Sequence, residues 1–257
     1  MIDNEVYDRD GAGWWDEDSS LNMLHGSMTP GRLRYFRGVL DRLRLDPGAL
    51  RALDVGCGGG FLAEEFARLG AQVVGVDPSS VSIDTARRHA AEVGLEIDYR
   101  VGSGESLPVT DGEFDLVYCC DVLEHVSDLP RVLAEISRSL TPRGVFLFDT
   151  VNRTRASKMV AIKTMQEWRL TRIMDVPIHD WDMFITPDEL ETGLRDVGLQ
   201  VREVVGLGPR ANPLALVTNL RRAKAGKISY GELSRRLDFG QVRSTQVSYM
   251  GFAVKGA

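Results

Sequence analysis

A strand that ends in a run of glycines and passes straight into a helix leaves a chain few folds to adopt. Residues 53–60 read LDVGCGGG, and FLAEEFARLG follows with apolar residues at helical spacing and a glycine stop. The apolar start reads as a buried strand ending at Asp54-Val55. Gly56, Gly58 and Gly60 let the backbone turn tightly and approach a ligand closely. The helix start beyond them offers free N–H groups to a carboxylate or phosphate. The sixth position of a G-x-G-x-x-G fingerprint is Phe61 here, so a dinucleotide pyrophosphate is a poor match. A D-x-G-x-G turn suits a smaller ligand lying across the strand ends. The plainer alternative is a tight turn without a ligand.

Strand and helix patterns alternate around this turn. RALDVG (51–56), QVVGVD (72–77), DYRVGS (98–103), FDLVYCC (114–120) and GVFLFDTV (144–151) are short apolar runs ending at Gly, Asp, Ser or a polar stretch, with helical patterns between them. This predicts a parallel sheet with helices on both faces. LQVREVVGL (199–207) and VSYMGFAVKG (247–256) read as a terminal antiparallel pair. The expected fold is thus α/β and Rossmann-like, with a seven-stranded, mostly parallel sheet. Residues 208–245 read as irregular and helical. The expected organisation is an N-terminal helical cap segment (1–48), a ligand-binding core (49–152), a helical insertion (153–187) and a C-terminal part of the same α/β domain (188–257). Thr186 is a plausible N-cap with Pro187 in the first turn.

Composition narrows the partners. The formal net charge of −6 over 257 residues argues against a nucleic-acid partner, because a phosphate-backbone binder is normally basic. No segment approaches about 18 uninterrupted apolar residues, so no membrane-crossing helix is expected. The acidic N-terminus MIDNEVYDRDGAGWWDEDSS does not read as a signal peptide. Three cysteines, Cys57, Cys119 and Cys120, do not suggest a disulfide framework, and a reducing cytoplasm fits best.

Asp77 closes the second strand, about 20 residues beyond the glycine turn. An acid there can accept two hydrogen bonds from the ribose hydroxyls of an adenosine ligand; it can equally cap the helix that follows VDPSS. Ser103, Gly104 and Glu105 follow the third strand, where polar groups can read an adenine edge. Cys119, Cys120 and Asp121 lie at the carboxyl end of the fourth strand, where open α/β sheets bind ligands. LDVGCGGG, VGVDPS and FDLVYCCDVLEH stand in the order and spacing of the class I S-adenosylmethionine methyltransferases, which the chain resembles here. The resemblance narrows through Trp14-Trp15-Asp16, MTPGRLRYF, TVNRT (150–154), HDWDMFITPDEL (179–190) and NPL (212–214). With these, the chain resembles the O-methyltransferase family of ubiquinone biosynthesis, which methylates polyprenylated catechols and demethyl-ubiquinols. The likeness runs from about residue 13 to the final strand.

The resemblance implies a role for each matching position. Arg32 corresponds to an arginine that reaches the cofactor, at its carboxylate. Gly56, Gly58, Asp77, Pro78, Gly104 and Glu105 fall in the cofactor site, as does Cys120, where the family commonly has Met. Asp121, Glu124 and His125 match an acidic–x–x–Glu–His cluster that binds a divalent cation, such as Mg²⁺, in some members; Asp121 stands in place of the usual Glu. Each has a plainer alternative. The Trp pair can be a packing anchor, Arg32 a solvated helix residue and Glu124 an acceptor for a loop. His125 can be a satisfied core histidine, and His179-Asp180 a loop turn.

The implied chemistry is attack of a phenolate on an activated methyl group, which demands alignment, water exclusion and ionisation of a phenol of pKa about 10. His125 or His179 is the candidate base, or a cation held at residues 121–125 lowers the phenol pKa. Residues 155–174 interleave Lys158, Lys163, Arg169 and Arg172 with Met, Ile, Leu and Trp. They read either as a lid over the acceptor or as a helix contacting a membrane surface peripherally. A small soluble acceptor, or cofactor binding without turnover, are the competing functions. The oligomeric state is not legible.

Overall fold

The computed structural model describes residues 5–169 and 178–256. Among these residues eight strands form one sheet in the order β3-β2-β1-β4-β5-β8-β6-β7. They are β1 (Arg51–Val55), β2 (Gln72–Asp77), β3 (Asp98–Val101), β4 (Phe114–Cys120), β5 (Leu140–Val151), β6 (Leu199–Pro209), β7 (Phe239–Val242) and β8 (Ser248–Lys255). β1 to β5 pair in parallel, whereas β8 runs antiparallel to both β5 and β6, and β7 antiparallel to β6. The sheet therefore holds one strand more than the seven expected. The extra one, β7, lies in the stretch read as irregular; with only four residues, it is too short for its alternation to stand out. Its edge position suits so short an element.

The helices are α1 (Val6–Asp10), α2 (Thr29–Leu43), α3 (Phe61–Arg68), α4 (Ser80–Glu92), α5 (Leu129–Ser139), α6 (Arg155–Ser157), α7 (Pro187–Asp196), α8 (Pro213–Lys224) and α9 (Tyr230–Leu237). Local chemistry sets their starts. Ser79 caps α4 by accepting from the Ser82 N–H. Thr186 and Glu189 form a reciprocal capping box with Pro187 in the first turn of α7. The helix read over 155–174 is shorter and wider among the described residues. α6 is continued by a π-type segment, Lys158–Glu167, and Trp168 is already extended at its end. Residues 170–174 of that expectation lie outside the described residues.

Two apolar layers sandwich the sheet. One packs α2, α3 and α4 through Phe36, Phe66, Ile83 and Tyr118; the other packs α5 and α7 through Val132, Ile136, Leu190 and Leu194. Covered on both faces, the central strands are continuously apolar rather than alternating. Their carboxyl ends, at Val55, Asp77 and Cys120, open on the same rim of the sheet.

Candidate active site

On that rim lies a cavity of about 470 Å³. Arg32, Gly56, Gly58, Asp77, Pro78, Gly104, Glu105 and Cys120 all line it, together with Asp121 and His125. The eight residues assigned to a cofactor from the sequence are thus brought to one concavity. Its size suits a ligand of small-molecule class.

The glycine turn forms the floor. Gly56 has φ of +76° and Gly58 φ of +50°, a region that side chains with a Cβ avoid. A Cβ on Gly56 would stand 2.3 Å from Val122 Cγ2, and one on Gly58 2.8 Å from the Trp14 ring. Both glycines are therefore required by conformation and by contact. Trp14 and Trp15 clamp the turn from above. Trp14 Nε1 donates to Ser82 Oγ at 2.9 Å, and Trp15 Nε1 donates to the Gly59 carbonyl at 2.8 Å. The Trp pair anchors by packing, as its plainer reading held, and Trp14 also lines the cavity.

Asp77 closes β2 with both oxygens engaged. They accept from Gly58 N–H and Ser79 N–H, each at 2.9 Å. Burial pushes its carboxyl up to about 6, against these two backbone donors. Asp77 thus ties the glycine turn to the start of α4. Asp54 at the end of β1 lines the same cavity, and its Oδ2 is buried without a hydrogen-bond partner. An acceptor so placed awaits a donor from a ligand or a water.

Arg32, on the first turn of α2, is 4% exposed; the solvated-residue alternative is therefore wrong. Its Nε donates to Asp149 Oδ2 at 2.5 Å and its Nη2 to Asp149 Oδ1 at 2.9 Å; Nη2 also donates to Asp121 Oδ2. One guanidinium cannot neutralise two carboxylates. Burial raises Asp149 to about 6 even beside Arg32. Burial also opposes ionisation of Asp121, but Arg32 outweighs it and holds Asp121 below the usual carboxylate range. Asp149 escaped the sequence reading. Its signal was an acid inside the apolar strand VFLFDTV, because a charge buried there demands a partner.

Asp121 is turned to Arg32, and the side chain that joins Glu124 and His125 is His179. The candidate ligand atoms of Glu124, His125 and His179 lie within 4.8 Å of one another. The His125 and His179 rings are 5.1 Å apart. Two hydrogen bonds with Gln166 fix His179: its N–H donates to Gln166 Oε1 at 2.9 Å, and its carbonyl accepts from Nε2 at 3.0 Å. Glu124 Oε2 accepts from Thr150 Oγ1 at 2.8 Å, while Oε1 is buried without a partner. Burial, then the Asp121 charge, push the Glu124 carboxyl up to about 8. Burial, reinforced by His179, pushes His125 down to about 3. Burial likewise lowers His179. Glu124 and His179 do not line the cavity, whereas His125 does. His125 is thus the residue shared by the cavity and the cluster.

Tyr7 of α1 was also missed. Its ring stacks on Trp14 at 6.0 Å and meets the His125 ring edge-on at 6.5 Å. Burial, followed by the Asp121, Glu124 and Asp77 charges, raises its hydroxyl above the usual phenol range. Its place in an N-terminal segment without a motif gave no signal.

Comparison with known proteins places this architecture. The sequence profile described as "Methyltransferase domain" matches residues 53–148, from β1 to β5. "Ubiquinone biosynthesis O-methyltransferase" of Azorhizobium caulinodans is 39% identical over 208 residues, covering 78% of this chain and 81% of that protein. The chain belongs to the ubiquinone biosynthesis O-methyltransferase family. The Xanthomonas axonopodis pv. citri member is 40% identical over 195 residues, covering 76% of this chain and 78% of that protein. Solved structures share the fold. The magnesium protoporphyrin IX methyltransferase of Synechocystis, with bound SAH, matches at TM-score 0.56 and 19% identity, over 88% of this chain and 84% of that one. The YcgJ protein of Bacillus matches at TM-score 0.59 and 18% identity, over 87% of this chain and 99% of that one.

The protein is therefore an S-adenosylmethionine-dependent methyltransferase. The residues at the rim fit that cofactor. Asp54 Oδ2 is a buried acceptor without a hydrogen-bond partner, and the Asp77 carboxylate lines the same cavity.

Proposed function

We propose that this family member methylates a phenolic hydroxyl of a catechol or hydroquinone carrying a polyprenyl chain. The observation that carries the reading is His125, placed where the cofactor cavity meets the Glu124–His125–His179 cluster. S-adenosylmethionine supplies an activated methyl group, so the protein's task is to align the acceptor oxygen and remove its proton. Asp77 would hold the ribose, Gly56 and Gly58 admit the cofactor backbone-close, and Pro78, Gly104, Glu105 and Cys120 wall the adenosine. Arg32 Nη1, the guanidinium nitrogen without a described partner, is what remains for the cofactor carboxylate.

Glu124, His125 and His179 would hold a divalent cation, which when bound lowers the pKa of an adjoining phenol. Two imidazoles and one carboxylate suit a transition ion better than Mg²⁺, which prefers oxygen donors. Transfer of labelled methyl from S-adenosylmethionine to a short-chain prenyl catechol, with and without EDTA, tests the whole reading. Turnover that EDTA abolishes and a divalent ion restores is the expected result. Absence of transfer to any phenol would overturn it.

Asp77→Ala is expected to weaken S-adenosylhomocysteine binding by roughly 10- to 1,000-fold, because hydrogen bonds to a charged group contribute about 1.5–3 kcal/mol each. Calorimetry on the folded variant checks this. Unchanged affinity would leave Asp77 only its role in tying Gly58 to Ser79.

The insertion supports a greasy acceptor. Met159, Val160, Met165 and Trp168 are half of the large apolar residues exposed among the described ones. Ala161 and Ile162 on its other side pack on Phe184, and Gln166 holds His179. No described helix is long and apolar enough to cross a membrane. The segment would serve as lid and as peripheral membrane contact, with about 1 kcal/mol from each basic residue near an anionic surface. Changing Lys158, Lys163, Arg169 and Arg172 together to Glu is expected to abolish co-sedimentation with anionic vesicles and spare cofactor affinity. A wild-type protein that ignores such vesicles at low salt would point to a soluble acceptor.

A further inference from the structure

Tyr7 has no part in the chemistry above, yet its ring meets that of His125. It lines the cavity together with Gly58, Asp77, Asp121 and His125. Its ring lies parallel to Trp14, with an interplanar angle of 3°, and perpendicular to His125, at 85°. The main chain is pinned as well. The Tyr7 carbonyl accepts from Ser79 Oγ at 3.1 Å and from Ser82 Oγ at 3.4 Å. Ser82 Oγ also takes the Trp14 indole N–H. Both aromatic rings are thereby fixed to the first turn of α4, the same turn that Asp77 caps through Ser79.

An acceptor ring brought to the transferable methyl group and to His125 must come against this tyrosine. A phenol hydroxyl with pKa about 10 is neutral at physiological pH and can donate. A catechol presents a second oxygen beside the reacting one, and a single donor at a fixed place distinguishes the two. We infer that Tyr7 is a positioning residue for the acceptor: its ring walls the aromatic nucleus and its hydroxyl donates to the oxygen adjacent to the one methylated. This rests on the phenolic acceptor proposed above. The acceptor loses a proton and gains a methyl group at one oxygen; Tyr7 exchanges neither.

The test compares wild type, Tyr7→Phe and Tyr7→Ala on a short-chain prenyl catechol and on the matching monophenol, which lacks the second oxygen. For Tyr7→Phe, KM for the catechol should rise about tenfold, as one neutral hydrogen bond allows. The two O-methyl products should approach equal amounts, with kcat changed less than KM. On the monophenol, wild type and Tyr7→Phe should be alike. Tyr7→Ala should raise KM for both acceptors, because the wall is gone. S-adenosylhomocysteine affinity and thermal midpoint, measured on the same proteins, should stay near wild type for Tyr7→Phe. Native KM and product ratio in Tyr7→Phe would overturn the inference, as would an equal loss on catechol and monophenol. If the wild type methylates neither compound, the phenolic reading falls and takes this inference with it. If the wild type turns over and Tyr7→Phe matches it, only the role of Tyr7 falls.

Discussion

Replacing His125 by alanine is expected to lower kcat by about 10²–10⁴-fold while leaving S-adenosylhomocysteine affinity within a few-fold. A group that accepts a proton, or holds the ion that acidifies the acceptor, acts in the transition state and contributes little to binding the cofactor. His125 lies on a short helical turn (Leu123–His125) after β4, with its ring between Tyr7 and His179. Rapid-quench measurement of a single turnover, paired with calorimetry, separates the two effects. His179→Ala is informative beside it, since His179 belongs to the cluster but not to the cavity. Equal losses in the two variants, both with loss of the response to added divalent ion, fit a shared cation. A loss confined to His125→Ala, with EDTA without effect, fits a direct base. Near-native turnover in folded His125→Ala would make the residue structural and remove the cluster from the chemistry.

Arg32→Met is expected to destabilise the protein by about 3–5 kcal/mol, because it leaves two buried carboxylates without their cation. For a chain of this size that is a fall in thermal midpoint of roughly 6–20 °C. Asp149 is fully buried and Asp121 about a quarter exposed, so the larger share of the cost falls on Asp149. The double variant Arg32→Met/Asp149→Asn should recover part of the loss, since it removes the charge that was stranded. Thermal denaturation of the set at neutral pH measures this coupling. A loss below about 1 kcal/mol, typical of an exposed ion pair, would mean that the site relaxes to admit water. Asp149, raised by burial, favours the folded state at low pH, whereas Asp121 contributes with the opposite sign. Arg32 holds its folded pKa below the ordinary value, so this stabilisation is present above the unfolded pKa and disappears as pH falls through the folded one.

The part of the site proposed to hold the cofactor was legible in the sequence because it is local. Gly56, Gly58 and Asp77 sit at the ends of adjacent parallel strands whose order follows from alternation and short connections. β1 and β2 pair with Asp54 opposite Gly75 and Val55 opposite Val76, which brings the glycine turn and Asp77 to one rim. The part proposed to face the acceptor was legible only as separate residues. Asp121, Glu124 and His125 are neighbours in the chain and were grouped on that ground. The tertiary structure divides them, because the left-handed backbone at Asp121, φ +54°, accompanies its turn toward Arg32. Glu124 and His125 are left to meet His179, 54 residues further on.

The sequence by itself determined the α/β alternation, the glycine turn, the capped starts of α4 and α7 and the family. These rest on spacing, on φ-permissive residues and on side-chain caps that act within a few positions of one another. The tertiary structure alone decided the short edge strand β7, the partnership of Arg32 with Asp149 and the joining of His179 to His125. It also decided the edge-on placement of Tyr7 against His125. Those contacts span 117 residues in the case of Arg32 and Asp149, and no local periodicity encodes them. They follow from which buried charges must find a counter-charge, and which aromatic faces must leave water, once the sheet has brought its strand ends together.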